Sequence, residues 1–199
     1  MKYSGHSVRL GSLGAPLALM VAGLLAATPA TALDAAQERC VTSEMPQDMH
    51  EALYAEHFAD DSGNDAFAAF AERAQECAIR HELPEPKQEA YVRYALVRSL
   101  METSQKKLKA AGYPIALLDG AITALVKAAG GYDKVFAPET GITQDGLAVL
   151  DELFRRSGAR LIPDDDVTLK HFSILMISIS EGVSVAKQLD LDLDLDLDR

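Results

Sequence analysis

The sequence predicts an all-α protein, a compact bundle of about six to seven helices closed by one disulfide. Three observations carry that expectation. Apolar residues recur at three- and four-residue steps in one segment after another, and helix start and stop signals punctuate a body without a convincing hairpin of alternating residues between turn dipeptides. The third observation is a pair of cysteines, Cys40 and Cys77, in a chain that opens like an exported one.

Lys2 and Arg9 lead into an apolar run from Leu13 to Ala27, followed by the small residues Ala30-Thr31-Ala32. Basic start, short apolar run and A-x-A are the three parts of a cleavable signal peptide, expected over residues 1–32. The run falls short of the roughly 20 residues needed to span hydrocarbon, and no stable membrane anchor is expected after cleavage. Gln37-Glu38-Arg39 before Cys40 is too bulky and charged for a lipobox. The expected residence is therefore outside the cytoplasm, periplasmic or extracellular. There a disulfide between Cys40 and Cys77 would close a loop of about 38 residues, worth roughly 4 kcal/mol in the chain-entropy account.

Losing residues 1–32 removes Lys2, Arg9 and no acid, moving the net charge from −11 to −13. Such an anionic surface repels phosphate backbones and anionic lipid, which argues against a nucleic-acid partner. The remainder, residues 33–188, suits one domain.

Within it, a short helix is expected from Asp34 through Cys40, and a second from Ser43 to about Phe58 with Pro46 in its first turn. Asn64 is a candidate cap for a third, whose apolar stripe is Phe67, Phe70, Ala74 and Cys77. Leu83-Pro84 ends it. The longest helix, about 86–111, carries Tyr94, Val97, Met101 and Leu108 and stops at Gly112 after Lys106, Lys107 and Lys109 have met the negative end of its dipole. Ile115, Leu118, Ile122 and Leu125 mark the next helix, 114–129. Gly120 within it suggests a place where a neighbour approaches closely and an inter-helix cleft could form. After a loop of about 12 residues, Thr143 caps a helix bearing Leu147, Leu150, Leu153 and Phe154 that stops at Gly158. Asp164, Asp165 and Asp166 open the last helix, which reaches about Lys187. Its middle, Phe172 to Ile179, is apolar on nearly every side, as a central helix would be, although Ile177-Ser178-Ile179-Ser180 also alternates like a strand. Five Leu-Asp pairs and Arg199 form a tail, 189–199, expected to be disordered, so that its deletion would leave thermal stability unchanged.

Chemistry is signalled weakly. His50 and His57 share a helix face but stand about 10.5 Å apart along the axis, too far for one metal ion. His50-Glu51 and His81-Glu82 begin like a zinc-protease motif, yet Tyr54 and Glu85 stand where the second histidine belongs. Cys77 and His81, at i,i+4, could share a metal only if the thiol were free. Ser104–Lys107 and Ser184–Lys187 match S-x-x-K at the frequency of chance and lack its partner motifs. Tyr91, Arg93, Tyr94 and Arg98 could make a polar-aromatic surface, with Arg98 against Tyr94. His171 completes the histidines of the mature chain.

No catalytic residue, metal ligand or cofactor is therefore expected. The expected function is a non-enzymatic binding or interaction protein of the cell envelope, with an unknown small molecule or protein as partner. The alternatives are a self-associating or structural protein using its C-terminal tail, or an enzyme with an unrecognised site.

Overall fold

The structure is a computed structural model that describes residues 33, 35–42, 44–59, 65–137 and 141–191. The expected signal peptide, the Asn64 cap and tail residues 192–199 lie outside the described residues. Among the described residues seven helices follow in order: α1 (Ala35–Thr42), α2 (Gln47–Ala59), α3 (Asp65–Arg80), α4 (Glu85–Ala110), α5 (Ile115–Ala129), α6 (Gln144–Arg156) and α7 (Asp166–Gln188). Between α5 and α6 lie a single 3-10 turn, Tyr132–Lys134, and two strands of two residues, β1 (Phe136–Ala137) and β2 (Gly141–Ile142), paired antiparallel with Phe136 opposite Ile142. That small ladder replaces the plain loop expected there. Ile177–Ser180 is helical, and its strand-like alternation does not track burial: Ile177 is exposed, while Ser178, Ile179 and Ser180 are all buried.

The helix ends follow local chemistry. Thr143 Oγ1 accepts from the Gly146 amide at 3.2 Å, and of the three aspartates at the start of α7 it is Asp165 that caps, accepting from the Thr168 amide at 2.8 Å. That bond holds the Asp165 carboxyl below the usual range. The first amides of α3 receive help from another helix, since a Glu56 carboxylate oxygen on α2 accepts from Ala66 and Phe67 at 2.9 and 3.2 Å. Gly112, at φ +78°, turns the chain out of α4, with the Tyr113 amide closing back on Leu108.

α4 and α7 make the most extensive contact of any two elements. They run antiparallel: Lys87 at the start of α4 pairs with Asp190 just beyond α7 at 2.9 Å, and Arg93 pairs with Glu181 at 3.1 Å. By that register the buried small residues Ala95 and Ser99 lie level with Gly182 and Ser178, which lets the two backbones approach. Two apolar cores lie along this pair. One gathers Met101 and Leu108 with Leu118, Ile122, Leu150, Phe154, Leu175 and Ile179. The other gathers Phe70, Ala74 and the cysteines with Tyr91, Tyr94, Ala95 and Val185. α7 is, among the described helices, the one long and apolar enough to cross a membrane, but most of that stretch is buried inside the protein.

Cys40 and Cys77 form the expected disulfide, tying α1 to α3 within the second core. Tyr91 reinforces the join by donating its hydroxyl to the Gln37 carbonyl at 2.5 Å.

Three expectations are corrected. Phe67 does not join the buried stripe of α3. It is 49% exposed, because it sits in the first turn while the stripe meets its neighbours only from Phe70 onward. Gly120 faces open space, with nothing within 4 Å of an added Cβ, so it marks no close helix approach and no cleft. The domain also continues beyond 188. Leu189 is fully buried and Leu191 packs on the same core, because Asp190 at φ +57° turns the chain back and lets the Leu191 amide close on the Ala186 carbonyl at 2.9 Å. The first pairs of the Leu-Asp tract thus finish a helix.

Three stability outcomes follow. Gly120→Ala should stabilise by roughly 0.5–1 kcal/mol, raising Tm by about 1–4 °C, since it relieves the backbone entropy of an interior helix glycine at no steric cost. Leu189→Ala should destabilise by about 2–5 kcal/mol through loss of a fully buried side chain. Truncation after Gln188 should likewise lower Tm in a thermal melt, reversing the expectation from the repeat pattern alone.

Candidate functional site

α2 carries His50 and Tyr54 one turn apart, and both side chains are buried against the α4–α7 pair. His50 Nδ1 lies 2.8 Å from the Ser99 hydroxyl of α4. The Tyr54 hydroxyl lies 2.7 Å from Nδ1 of His171 on α7. Ser104, whose hydroxyl donates to the Leu100 carbonyl at 2.6 Å, lies beside the same phenol. Aromatic rings frame the cluster. Phe70 of α3 meets His50 edge-on at 5.5 Å, and Phe58 lies 4.7 Å from the His171 ring with the Lys170 ammonium 4.8 Å above it.

Electrostatics keep both histidines neutral near pH 7. Burial pushes His50 below the ordinary 6.5, with Lys106 acting the same way and Glu102 and Glu51 opposing. Burial is also the main cause at His171, reinforced by Lys107 and opposed by Asp165. Burial raises the Tyr54 phenol, which stays protonated. At the edge of the cluster Lys107 pairs with Glu51 at 2.9 Å, and that bond holds the Glu51 carboxyl below its usual value.

The His50–Ser99 pair has the separation of a nucleophile and its base. Its position argues otherwise: Ser99 is 2% exposed and its hydroxyl faces α2 instead of a cleft. What the arrangement does is fasten three helices with buried hydrogen bonds, each partner satisfying a group that would cost about 1–3 kcal/mol if left bare.

Compared with known proteins, the chain matches no family model, no curated protein and no solved structure.

The other candidates scatter. His57 is exposed at the end of α2, away from the buried His50. Cys77 is consumed by the disulfide, so its thiolate is not available to a metal shared with His81. Among the described residues no group of three His, Cys, Asp or Glu side chains could hold a metal ion. Tyr91 and Tyr94 are both core residues, while Arg93 pairs with Glu181 and Arg98 with Glu102, so the polar-aromatic surface does not form. Lys107 turns to Glu51 and Lys187 to Asp133, and neither approaches the serine of its S-x-x-K match. Sequence reading left Ser99 and Tyr54 unassigned. The one signal for them was the i,i+4 spacing of His50 and Tyr54, while their partners stand 49 and 117 residues away.

Stability should depend on pH with a definite sign. A histidine whose folded pKa lies below 6.5 contributes stability that is whole above 6.5 and is lost as pH falls from there through the folded value. Tm should therefore drop between pH 7.5 and pH 5. His50→Asn and His171→Asn, which keep a hydrogen-bonding atom near the Nδ1 position without the titration, should each shallow that slope in melts followed by circular dichroism.

Proposed function

We propose that the protein is exported by way of a cleaved signal peptide over residues 1–32 and works in the cell envelope as a non-enzymatic binding or interaction protein. The disulfide between Cys40 and Cys77 is compatible with residence in an oxidising compartment. The observation that carries the binding reading is where the reactive side chains are spent. His50 and His171 fasten helices, and both thiols are joined to each other. Catalysis at neutral pH generally draws on a nucleophile or base held within reach of substrate, and here those groups serve the fold. A packed helical surface then offers shape and charge to a partner. The excess of acids over bases favours a cationic one and disfavours nucleic acid.

Export is tested by the intact mass of protein recovered from the cell envelope or medium. It should begin at Leu33 and lack two hydrogens relative to the free thiols, and a mass retaining residues 1–32 with two alkylatable cysteines would refute it. The binding reading is tested at the histidines that lie outside the buried cluster. His57→Ala and His81→Ala should leave any cellular phenotype of the gene intact. If either abolished the phenotype at unchanged abundance and Tm, the enzyme reading would take its place.

A further inference from the structure

α2 is held to the bundle in an unusual way. Its only fully buried apolar side chain apart from Tyr54 is Leu53, with Met49 partly packed, whereas α3, α4 and α7 each bury several. Polar contacts do the rest: His50 to Ser99, Tyr54 to His171, Glu51 to Lys107 at 2.9 Å, and the Glu56 carboxylate on the first amides of α3. The helix also lies inside the loop closed by the Cys40–Cys77 disulfide, which anchors the chain on both sides of it.

We propose that α2 is an acid-released strap, which lifts from α4 and α7 when His50 takes up a proton while the disulfide holds its two flanks in place. The geometry sets the direction. His50 rides on α2 itself, so a charge on its ring can regain water only if the helix moves outward. The groups around it do not supply a buried partner for that charge. From α3 it meets the Phe70 ring. From α4 it meets the Ser99 hydroxyl, with Glu102 favouring the charged ring and Lys106 disfavouring it, and Glu51 of its own helix is already paired with Lys107. α7 contributes His171, which meets Lys107 from α4, Asp165 from its own helix and the Tyr54 and Phe58 rings from α2. His171 is only partly buried and stands on α7, so a charge on it reaches water without α2 moving; His50 is therefore the trigger and Tyr54–His171 the clasp that opens after it. Lifting α2 would bare the hydroxyls of Ser99 and Ser104, both otherwise sealed, as a surface for a hydrogen-bonding ligand. That last step rests on the binding reading above; the strap does not.

Amide hydrogen exchange of the disulfide-intact mature protein tests the strap alone. Relative to intrinsic exchange, protection across Gln47–Ala59 should fall about tenfold for each pH unit between 6.5 and the folded pKa of His50, while α4 and α7 keep theirs. His50→Asn should remove that fall. Loss of protection in all three helices together, a pH-independent α2, or a wild-type slope in His50→Asn would each overturn the proposal. If the variant does not fold, the native protein still decides. The titration of His50 seen by NMR and the loss of α2 protection should share a midpoint, and separate midpoints refute the strap.

Discussion

The antiparallel seam between α4 and α7 is the constraint on which the rest of the molecule depends. Small residues, Ala95 and Ser99 on one helix and Ser178 and Gly182 on the other, lie at matching levels and bring the backbones together. Ion pairs at Lys87–Asp190 and Arg93–Glu181 mark the register, although pairs this exposed add little stability. Because both helices are long, two separate apolar cores form along them. One takes in α5, α6 and the small ladder, the other the disulfide-linked α1 and α3. A seam made of small side chains leaves room for hydroxyls between the cores, and there α2 finds its partners.

That placement explains why the histidines matter to the fold. A buried hydroxyl on α4 must bond something, and α2 brings an imidazole to it. The same helix presents a phenol to His171. A strap anchored by an imidazole whose burial disfavours its charged form, with little apolar burial beneath it, ties local stability to pH more closely than an apolar contact would. The disulfide across its flanks limits how far any opening can spread.

Much of the fold was legible because its signals are local. Thr143 and the aspartates before α7 announce helix starts, Gly112 and Gly158 announce stops, and the three-four spacing of Leu118, Ile122, Leu150 and Phe154 shows which faces are buried. Phe67 misled because periodicity describes a face along a whole helix, whereas burial requires a neighbour at that particular turn. Gly120 misled because a glycine in a helix is compatible with close packing or with empty space, and spacing alone does not separate them. The Leu-Asp tract misled in its first residues, since a repeat of period two gives no hint that Asp190 adopts a left-handed turn and returns Leu191 to the core.

By itself, then, the sequence determined the all-α class, most of the helices, the cap at Thr143 and a net negative charge, and it named Cys40 and Cys77 as partners, because each of these follows from residues near one another or from simple counting. Only the tertiary structure decided that His50 belongs to Ser99, that Tyr54 belongs to His171, and that Tyr91 and Tyr94 are core and not surface. Those pairings depend on the register of α4 against α7 and on where α2 crosses them, and that register is a sum of many weak contacts between residues far apart in the chain. No single residue carries it, so no local pattern could have shown it.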